Sequence, residues 1–318
     1  YRRQRQICIR DRNVHTEVSS TGRLGYQYYN KLGYVPYDVK INENTARTLE
    51  YAYDDWCISV LAGALDDEAN RDKYAAFAEG YKVYFDPSTR FMRGLDSEGN
   101  WRTPFNPRAS NHRNDDYCEG TAWQWTWFVP HDVDGLVELM GGRDAFIGKL
   151  DSLFTADSKL EGESTSVDIS GLIGQYAHGN EPSHHIAHLY NYVGQPWRTQ
   201  EIVDEVLHTL YFNNPDGLSG NEDCGQMSAW YILNAMGFYQ VCPGKPVYSI
   251  GRPLFNEATV HLKDGKSFKV IAHNNSRDNK YVRSIVLNGN KLETPFFTHQ
   301  DIVDGGTLEL TMGSEPLK

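Results

Sequence analysis

Carboxylates, glycines and aromatic rings gather in three segments, each at a place where a loop is expected to lead into a helix. In the first segment, Glu119 stands beside Gly120, and tryptophans follow at positions 123, 125 and 127. Aromatic walls disfavour the charged form of a carboxyl group and raise its pKa, as a general acid near neutral pH requires. A carboxylate at this place would also complement the dipole of a helix N-terminus. From the residues alone the helix-start role is the favoured one for Glu119, with the general acid as the alternative.

The second segment, residues 178–185, contains three histidines and one glutamate. Pro182 suits the first turn of the helix that follows, and the side-chain oxygen of Asn180 is predicted to cap that helix. A zinc site is disfavoured, because His184 and the histidine after it point to different faces of a helix and the His-Glu-x-x-His order is absent. Recognition of a sugar by Asn180 and Glu181 fits the segment at least as well.

The third segment, residues 216–230, is rich in glycine and in oxygen-bearing side chains. Its glycines allow tight turns, and Asn221, Glu222 and Asp223 supply oxygen atoms that could bind a cation. The residue orders of an EF-hand loop and of a phosphate-binding loop are both absent. A carboxylate here could act as a base, as a ligand for a hard cation or as a helix cap. Three acidic or amide residues exceed what one cap requires.

In a barrel of helical hairpins these three loops would meet at one end and form an acidic pocket lined by aromatic rings. Two carboxylates that face each other across a sugar are the minimum equipment for hydrolysing a glycosidic bond. No Gly-x-Ser-x-Gly motif is present, and no cysteine has a convincing histidine partner in the sequence. Nucleophilic catalysis by serine or cysteine is therefore not indicated.

The composition excludes several classes of partner and site. The chain has 318 residues and a formal net charge of -11, from 31 basic and 42 acidic residues, which argues against a nucleic-acid partner. No apolar run reaches the roughly 20 residues that a membrane span needs. The 5 cysteines are scattered and form no Cys-x-x-Cys pair, so a zinc site of thiolates is not indicated.

The elements that must position these loops change in kind near residue 245. Before it, apolar residues recur with helical spacing, and the nearly continuous apolar segment 227–236 predicts a helix that is buried on every side and ends at Gly237. After it, short alternating runs are separated by Asp-Gly and Asn-Gly turns, as in antiparallel hairpins. We therefore predict a mainly α chain, with a helical domain over residues 1–245 and a small antiparallel β domain over residues 246–318.

Nine stretches match a known family in the family's own order, from about residue 25 onward. They cover residues 34–38, 48–56, 84–87, 91–93, 119–125, 179–185, 220–231, 251–255 and 287–289. The most specific are Gly-Asn-Glu-Pro-Ser-His-His at 179–185 and Gly-Asn-Glu-Asp-Cys-Gly-Gln-Met-Ser-Ala-Trp-Tyr at 220–231. With these motifs the chain closely resembles glycoside hydrolase family 92, the calcium-dependent exo-acting α-mannosidases.

The resemblance implies an (α/α)6 helical-barrel catalytic domain, here incomplete at its N-terminus, and hydrolysis of terminal α-linked mannose with inversion of the anomeric centre. It makes Glu119 the general acid that protonates the leaving oxygen and Asp223 the general base that activates water. Asn180 and Glu181 would lie near the leaving-group sugar. The expected substrate contacts are Trp123, Gln124, Asn180, Glu181, His184 and Glu222.

The family also implies calcium, which would hold two hydroxyl groups of the mannose, with Asn180, Asn221 and Asp223 as candidate ligands by their oxygen chemistry. Family members are longer and carry an N-terminal β-sandwich, so we expect this chain to be a catalytic part that is weakly active or inactive alone. The expected partner is a mannose-containing glycan, and family habit implies a secreted, periplasmic or cell-surface location. The alternatives are another helical-barrel glycosidase and a sugar-binding protein with a mannosidase-like pocket.

Overall fold

The computed structural model describes residues 22–317, of which 38% are helical and 19% lie in strands. The expectation of a mainly α chain is therefore wrong. The strands of the described residues are distributed over several sheets, and some lie among the helices of the first half of the chain. Those strands are two to four residues long. An alternating pattern needs a longer run to be recognised in a sequence.

The described residues form two compact units. Unit 1 comprises residues 22–169 and 174–176, and unit 2 comprises residues 170–173 and 177–317. The prediction of domains over 1–245 and 246–318 followed the change from helices to strands. Unit 2 holds helices as well as the C-terminal strands. The boundary near residue 245 stays a prediction.

Unit 1 is built mainly of helices. They are α1 (Tyr26–Leu32), α2 (Asn44–Ala64), α3 (Glu68–Ala78), α4 (Ala122–Trp125), α5 (Val133–Leu139) and α6 (Arg143–Thr155), with a 3₁₀ helix over Glu79–Tyr84. Its strands are β1 (Phe85–Asp86), β2 (Phe91–Met92), β3 (Ala109–Asn111) and β4 (Glu161–Ser164). β1 and β2 pair antiparallel, whereas β3 and β4 pair parallel. Two further short strands follow in the chain, β5 (Leu172–Ile173) and β6 (Tyr176–Ala177).

An ion pair and a hydrogen bond hold α1, and the segment just before it, against α2 in unit 1. Asp55 is fully buried on α2 and accepts hydrogen bonds from the Arg23 guanidinium at 2.9 Å and from the Tyr29 hydroxyl at 3.0 Å. Arg23 also reaches Asp54 at 3.2 Å, and its guanidinium carbon lies 5.1 Å from the centroid of the Tyr51 ring. Removal of Arg23 would leave the buried carboxylate of Asp55 without its charged partner, which is costly, so the pair anchors the start of α1 on α2.

Unit 2 combines helices with two sheets. Its helices are α7 (Leu189–Tyr192), α8 (Pro196–Thr209), α9 (Gln226–Met236) and α10 (His299–Asp304), with 3₁₀ helices over Glu181–Ser183, Ile186–His188 and Lys263–Gly265. Its strands are β7 (Phe238–Tyr239), β8 (Val247–Ile250), β9 (Glu257–His261), β10 (Ser267–His273), β11 (Tyr281–Leu287), β12 (Asn290–Lys291), β13 (Phe296–Thr298) and β14 (Gly306–Gly313).

The C-terminal strands form a five-stranded sheet in the order β12-β11-β14-β10-β9. The predicted hairpin β9–β10 is confirmed, and the predicted turn at Asn288-Gly289 joins β11 to the short strand β12. The expectation of a purely antiparallel β domain is wrong, because β10 runs parallel to β14, with Phe268 opposite Gly306. Parallel neighbours cannot be joined by a tight turn, and here β11, β12, β13 and α10 lie between them in the chain. A hairpin pattern in the sequence could not reveal this pairing.

Helix α9 agrees only in part with its prediction. It ends at Gly237, whose φ of 104° is left-handed, as a glycine C-cap requires. Trp230 is fully buried, but Ile232 retains 53% of its exposure, so the prediction of burial on every side is wrong. The reason is that Ile232 and Tyr231 line a surface cavity of unit 2 together with Phe212.

Lys149 on α6 is a buried lysine inside unit 1. Its ammonium nitrogen lies 3.1 Å from the centroid of the Phe91 ring and 4.6 Å from that of Trp123. Loss of water around the ammonium lowers the pKa of Lys149 to about 7, and the charge of Arg90 acts in the same direction. An unfolded lysine titrates near pH 10.4, so the unfolded state holds this proton more tightly than the folded state does. The cost to the free energy of unfolding is therefore largest below pH 7 and disappears as the pH rises toward 10.4.

We expect Lys149→Met to raise the free energy of unfolding at pH 6 by roughly 1–3 kcal/mol, because it removes the desolvation penalty at the expense of the cation–π attraction. The gain should shrink as the pH rises from 7 toward 10. Urea unfolding followed by circular dichroism at pH 6 and at pH 9.5 measures both effects. Lys73→Met, at an exposed lysine of α3, is the control and should show no such difference. A loss of stability at both pH values would contradict the prediction.

Candidate active site

Glu119 lies in unit 1, in the loop that leads into α4. The indole N–H of Trp125 donates a hydrogen bond to the Cys118 carbonyl oxygen at 2.7 Å and so fixes this loop. A side chain on Gly120 would meet the same indole nitrogen at 2.8 Å, so the loop has room only for glycine there. Glu119 has a φ of 45°, in the left-handed region that non-glycine residues seldom occupy.

Helix α4 begins with a capping box. The Thr121 hydroxyl accepts a hydrogen bond from the Trp123 N–H at 3.2 Å, and the Gln124 side-chain oxygen accepts one from the Thr121 N–H at 2.7 Å. The Gln124 amide also donates to the carbonyl oxygen of Gln175, so both its ends are bonded inside unit 1. Trp123 packs edge-on against Phe91, with ring centroids 4.9 Å apart. Sugar contacts by Trp123 and Gln124 stay predictions.

The surroundings of Glu119 raise the pKa of its carboxyl group. Partial burial is the largest cause, and the carboxylate of Asp168 adds to it. His112 and Arg113 act in the opposite direction. The capping residue of α4 is Thr121, so Glu119 does not cap this helix. A raised pKa favours the general-acid role over that of a helix-start carboxylate.

Two loops of unit 2 approach each other so closely that both need glycine. A side chain on Gly179 would meet the Ser170 hydroxyl oxygen at 1.9 Å, and one on Gly220 would meet the Gly179 carbonyl oxygen at 3.2 Å. Gly220 also has a left-handed φ of 80°. Asn180 and Asn221 follow these glycines directly. The two segments that carry the candidate metal ligands therefore lie side by side.

Asn180 occupies the first position before the 3₁₀ helix Glu181–Ser183, but its side chain makes no capping hydrogen bond, so that prediction is wrong. The physical reason is that the short turn closes through its backbone. The Ser183 N–H donates to the Asn180 carbonyl oxygen at 3.2 Å, and the His184 N–H donates to the Glu181 carbonyl oxygen at 3.0 Å. Pro182 lies in the first turn, as predicted. Asn180 is 8% exposed and Glu181 is exposed.

Glu222 stabilises the start of α9. Its carboxylate accepts hydrogen bonds from the Ser228 backbone N–H at 3.0 Å and from the Ser228 hydroxyl at 3.1 Å. These contacts satisfy a donor that the first turn of a helix leaves without a partner. Glu222 therefore takes the helix-start role that the sequence left open for this group of acids. A sugar contact by Glu222 stays a prediction.

The neighbouring Asp223 is held differently. Its carboxylate is exposed and forms no hydrogen bond or ion pair with residues 22–317. Asp223, Cys224 and Gly225 have φ values of 50°, 56° and 97°, so three successive residues are left-handed. Such backbone conformations persist only where the surroundings impose them, and they cluster at functional sites. Of the two adjacent acids, Asp223 is the one whose carboxylate is available to a ligand.

Buried histidines support these loops in unit 2. The His184 ring accepts a hydrogen bond from the Gln226 side chain at 3.0 Å, and its other nitrogen donates to the His178 carbonyl oxygen at 2.9 Å. The His178 ring lies 2.7 Å from the Tyr211 hydroxyl. Burial lowers the pKa of His184 to about 4. The His184 ring therefore acts as a neutral hydrogen-bonding group, and a sugar contact by it stays a prediction.

Solved structures of two bacterial mannosidases resemble this chain. A family GH92 α-mannosidase of Bacteroides thetaiotaomicron, in complex with mannoimidazole, is 43% identical with a TM-score of 0.87, over 92% of this chain and 39% of that chain. A GH92 inverting mannosidase of Bacteroides thetaiotaomicron VPI-5482 is 42% identical with a TM-score of 0.87. The match covers 98% of this chain and 43% of that chain.

An uncharacterized secreted glycosidase of Arthroderma benhamiae is 28% identical over 98% of this chain and 42% of its own length. The chain thus spans about two fifths of the length of the relatives it matches. The family model described as the glycosyl hydrolase family 92 catalytic domain matches residues 4–314. The match defines the class as a glycoside hydrolase catalytic domain. More narrowly, this chain belongs to glycosyl hydrolase family 92, and the resemblance found in its sequence is confirmed.

His188 makes the stability of unit 2 depend on pH. It is fully buried, with one ring nitrogen 3.0 Å from the Ser249 hydroxyl and the other 2.8 Å from the Asn234 side-chain oxygen. Burial lowers the pKa of His188 to about 4, as it does for His184. An unfolded histidine titrates near pH 6.5, so the unfolded state binds more protons between pH 6.5 and pH 4. The contribution of His184 and His188 to the free energy of unfolding is therefore complete above pH 6.5. It is lost as the pH falls from 6.5 to 4.

We expect His188→Gln to flatten the fall in unfolding free energy between pH 6.5 and pH 4 by about 3 kcal/mol, the equivalent of a pKa shift of this size in one histidine. Denaturant unfolding at half-unit steps of pH measures the slope. The variant should be less stable at pH 7.5, because glutamine fills the site less well. His261→Gln, at an exposed histidine, is the control and should keep the wild-type slope. An unchanged slope in His188→Gln would rule out this account.

Proposed function

We propose that this chain is the catalytic part of an exo-acting α-mannosidase that releases terminal α-linked mannose with inversion. The observation that carries the proposal is the contrast between Glu119, whose carboxyl group has a raised pKa, and Asp223, whose exposed carboxylate forms no hydrogen bond with residues 22–317. An inverting glycosidase needs one protonated and one ionised carboxyl group. The relatives named as an α-mannosidase and an inverting mannosidase support the sugar and the stereochemical outcome.

In the proposed reaction Glu119 is the general acid. It donates its proton to the glycosidic oxygen, so the leaving group departs as a neutral alcohol. The hydrogen bond from Trp125 and the tight fit of Gly120 hold the loop, so the carboxyl group keeps its position during proton transfer. Arg113 and His112 then favour the carboxylate that remains, because their charges act against the raised pKa.

Asp223 is the general base in the same reaction. It takes a proton from the water whose oxygen attacks the anomeric carbon as the bond to the leaving oxygen breaks. Glu222 holds the first turn of α9 through Ser228, so the strained turn beside it keeps Asp223 in place. One water is consumed, and the products are mannose of inverted anomeric configuration and the free alcohol.

We propose calcium as the cofactor, held by oxygen atoms of Asn180, Asn221 and Asp223. The side-by-side loops of Gly179 and Gly220 support this set, and amide and carboxylate oxygens are the ligands that calcium prefers. Across residues 22–317, no group of three or more His, Cys, Asp or Glu gathers where a metal could sit. This finding disfavours a zinc site of those side chains in the described part of the chain. A bound calcium ion would supply a positive charge that binds hydroxyl groups of the sugar.

The substrate that we propose is a mannose-containing glycan met outside the cell. The relative named as a secreted glycosidase supports export of the whole protein. No helix formed by residues 22–317 is long and apolar enough to cross a membrane. Because the relatives are more than twice as long as the part that matches, activity is proposed for the whole protein of which this chain forms the catalytic part.

We expect Glu119→Gln and Asp223→Asn each to lower the kcat for an α-linked mannobiose by about 10²–10⁴-fold, the usual contribution of a general acid or base. Release of free mannose by the whole protein is the measurement. Glu119→Gln should recover much of its rate on a mannoside whose leaving group is acidic, because that leaving group needs no proton. Asp223→Asn should not recover.

Matched controls are Glu138→Gln and Asp216→Asn, at exposed acids of unit 1 and unit 2, which should keep the wild-type kcat. Full activity of Asp223→Asn combined with loss of activity in Glu222→Gln would assign the base to Glu222 instead. Binding of mannobiose without turnover by the wild-type protein would favour a sugar-binding protein.

Removal of calcium by a chelator should abolish mannose release and lower the melting temperature, because a ligand that binds only the folded state stabilises it. Added calcium should restore both, and magnesium should not, since it demands a stricter octahedral geometry. Asn221→Ala should raise the calcium concentration needed for the melting-temperature shift. Full turnover after exhaustive chelation would contradict the calcium proposal.

A further inference from the structure

A cavity of about 840 Å³ lies inside unit 1, beside Glu119. Its walls come from the start of α1, from the chain that leads into α2 and from the loop that carries Glu119. Its charged residues are Lys40, Glu43, Arg47, Arg113 and Glu119. The capping box of α4 and the ion pair of Arg23 with Asp55 belong to the same unit.

The charge of this cavity is opposite to that of the chain as a whole. Arg47 is paired with Glu43 at 2.8 Å, so these two charges cancel. Lys40 and Arg113 are exposed and form no ion pair with residues 22–317. When Glu119 is protonated, as a general acid must be, two positive charges remain unbalanced among the residues that line the cavity. The chain has a net charge of -11, so a local excess of cations is not a general property of its surface.

The backbone is strained at several of the residues that carry these charges. Lys40, Glu43 and Arg113 have φ values of 61°, 57° and 59°, and Glu119 shares their left-handed conformation. Non-glycine residues in this region are strained, and strained residues cluster where a ligand or a reaction requires a fixed geometry. The Asn42 side chain also donates to the Arg113 carbonyl oxygen at 2.7 Å. The loop with Lys40 and the loop with Arg113 are therefore tied together across the cavity.

We propose that this cavity binds the leaving group of the substrate, and that the leaving group carries an anionic substituent which pairs with Lys40 and Arg113. The inference rests on the proposed function, because a general acid delivers its proton to the leaving oxygen and so lies beside the leaving group. Guanidinium and ammonium groups bind phosphate and carboxylate through charge-assisted hydrogen bonds. A phosphate and a uronic acid carboxylate share this chemistry and are the two sources to distinguish.

The test uses the whole protein and three disaccharides of one linkage, the one that it cleaves best. They are the neutral α-mannobiose, the same compound with a 6-phosphate on the leaving sugar, and the same compound with a 6-carboxylate there. We expect kcat/KM for one anionic substrate to exceed that for the neutral one at least tenfold. The preference should fall as salt is raised to 0.5 M, because salt screens exposed charges.

Arg113→Gln and Lys40→Gln should each reduce the ratio of kcat/KM between the anionic and the neutral substrate severalfold. Lys73→Gln removes the same charge from the surface of unit 1 outside the cavity and should leave the ratio unchanged. Comparison of the phosphate with the carboxylate substrate identifies the anion. An equal loss of preference in all three variants would mean that overall charge, and not this cavity, is responsible, and would overturn the proposal.

The same measurements distinguish a cavity that binds no anion from a protein that is not a mannosidase. Turnover of all three substrates with equal kcat/KM overturns the anionic leaving group and leaves the mannosidase intact. If no mannoside is cleaved, calorimetry with mannose 6-phosphate, sodium glucuronate and mannose decides. Binding of an anionic sugar that is lost in Arg113→Gln supports the cavity as an anion site while the mannosidase proposal falls. Absence of binding overturns both.

Discussion

The first N–H groups of a helix must find acceptors, and that requirement fixes both loops that carry a candidate catalytic acid. In unit 1, Thr121 and Gln124 satisfy the start of α4, and Glu119 lies two residues before the cap. In unit 2, the Glu222 carboxylate bonds to Ser228 in the first turn of α9, and Asp223 is the next residue. Each acid is therefore held by a neighbour that serves the helix. In both loops the residue that completes the helix start is a near neighbour of the candidate catalytic acid and not the acid itself.

The two acids differ in their environment, and the difference assigns their proposed roles. Glu119 loses part of its hydration beside Asp168, so its neutral form is favoured. Asp223 faces water on a strained turn, and no neighbour among residues 22–317 bonds to its carboxylate. The interior of unit 2 contains the buried histidines His184 and His188. Their pKa values are lowered to about 4, so both rings are neutral near pH 7. Burial therefore favours the neutral form of Glu119 and of these two histidines alike.

The sequence was informative where one segment determines its own structure. The hairpin turns, the C-cap at Gly237 and the family motifs could be predicted, since each depends on a few adjacent residues. The parallel pairing of β10 with β14 could not, because it depends on strands separated by β11–β13 and α10. The capping role of Glu222 was left open for a similar reason, since a base, a ligand and a cap all use the same carboxylate. Which use applies depends on the position of Ser228, which spacing alone does not determine.

The order of strands in the C-terminal sheet has a consequence for synthesis of the chain. β14 is the last strand of the described residues, yet it lies in the middle of the sheet, between β11 and β10. Until residue 313 has left the ribosome, both of those strands present an unpaired edge with apolar side chains such as Phe268 and Val270. Unpaired edges of this kind are templates for pairing with another chain. A nascent polypeptide is therefore most exposed to aggregation, and most in need of a chaperone, just before its sheet can close.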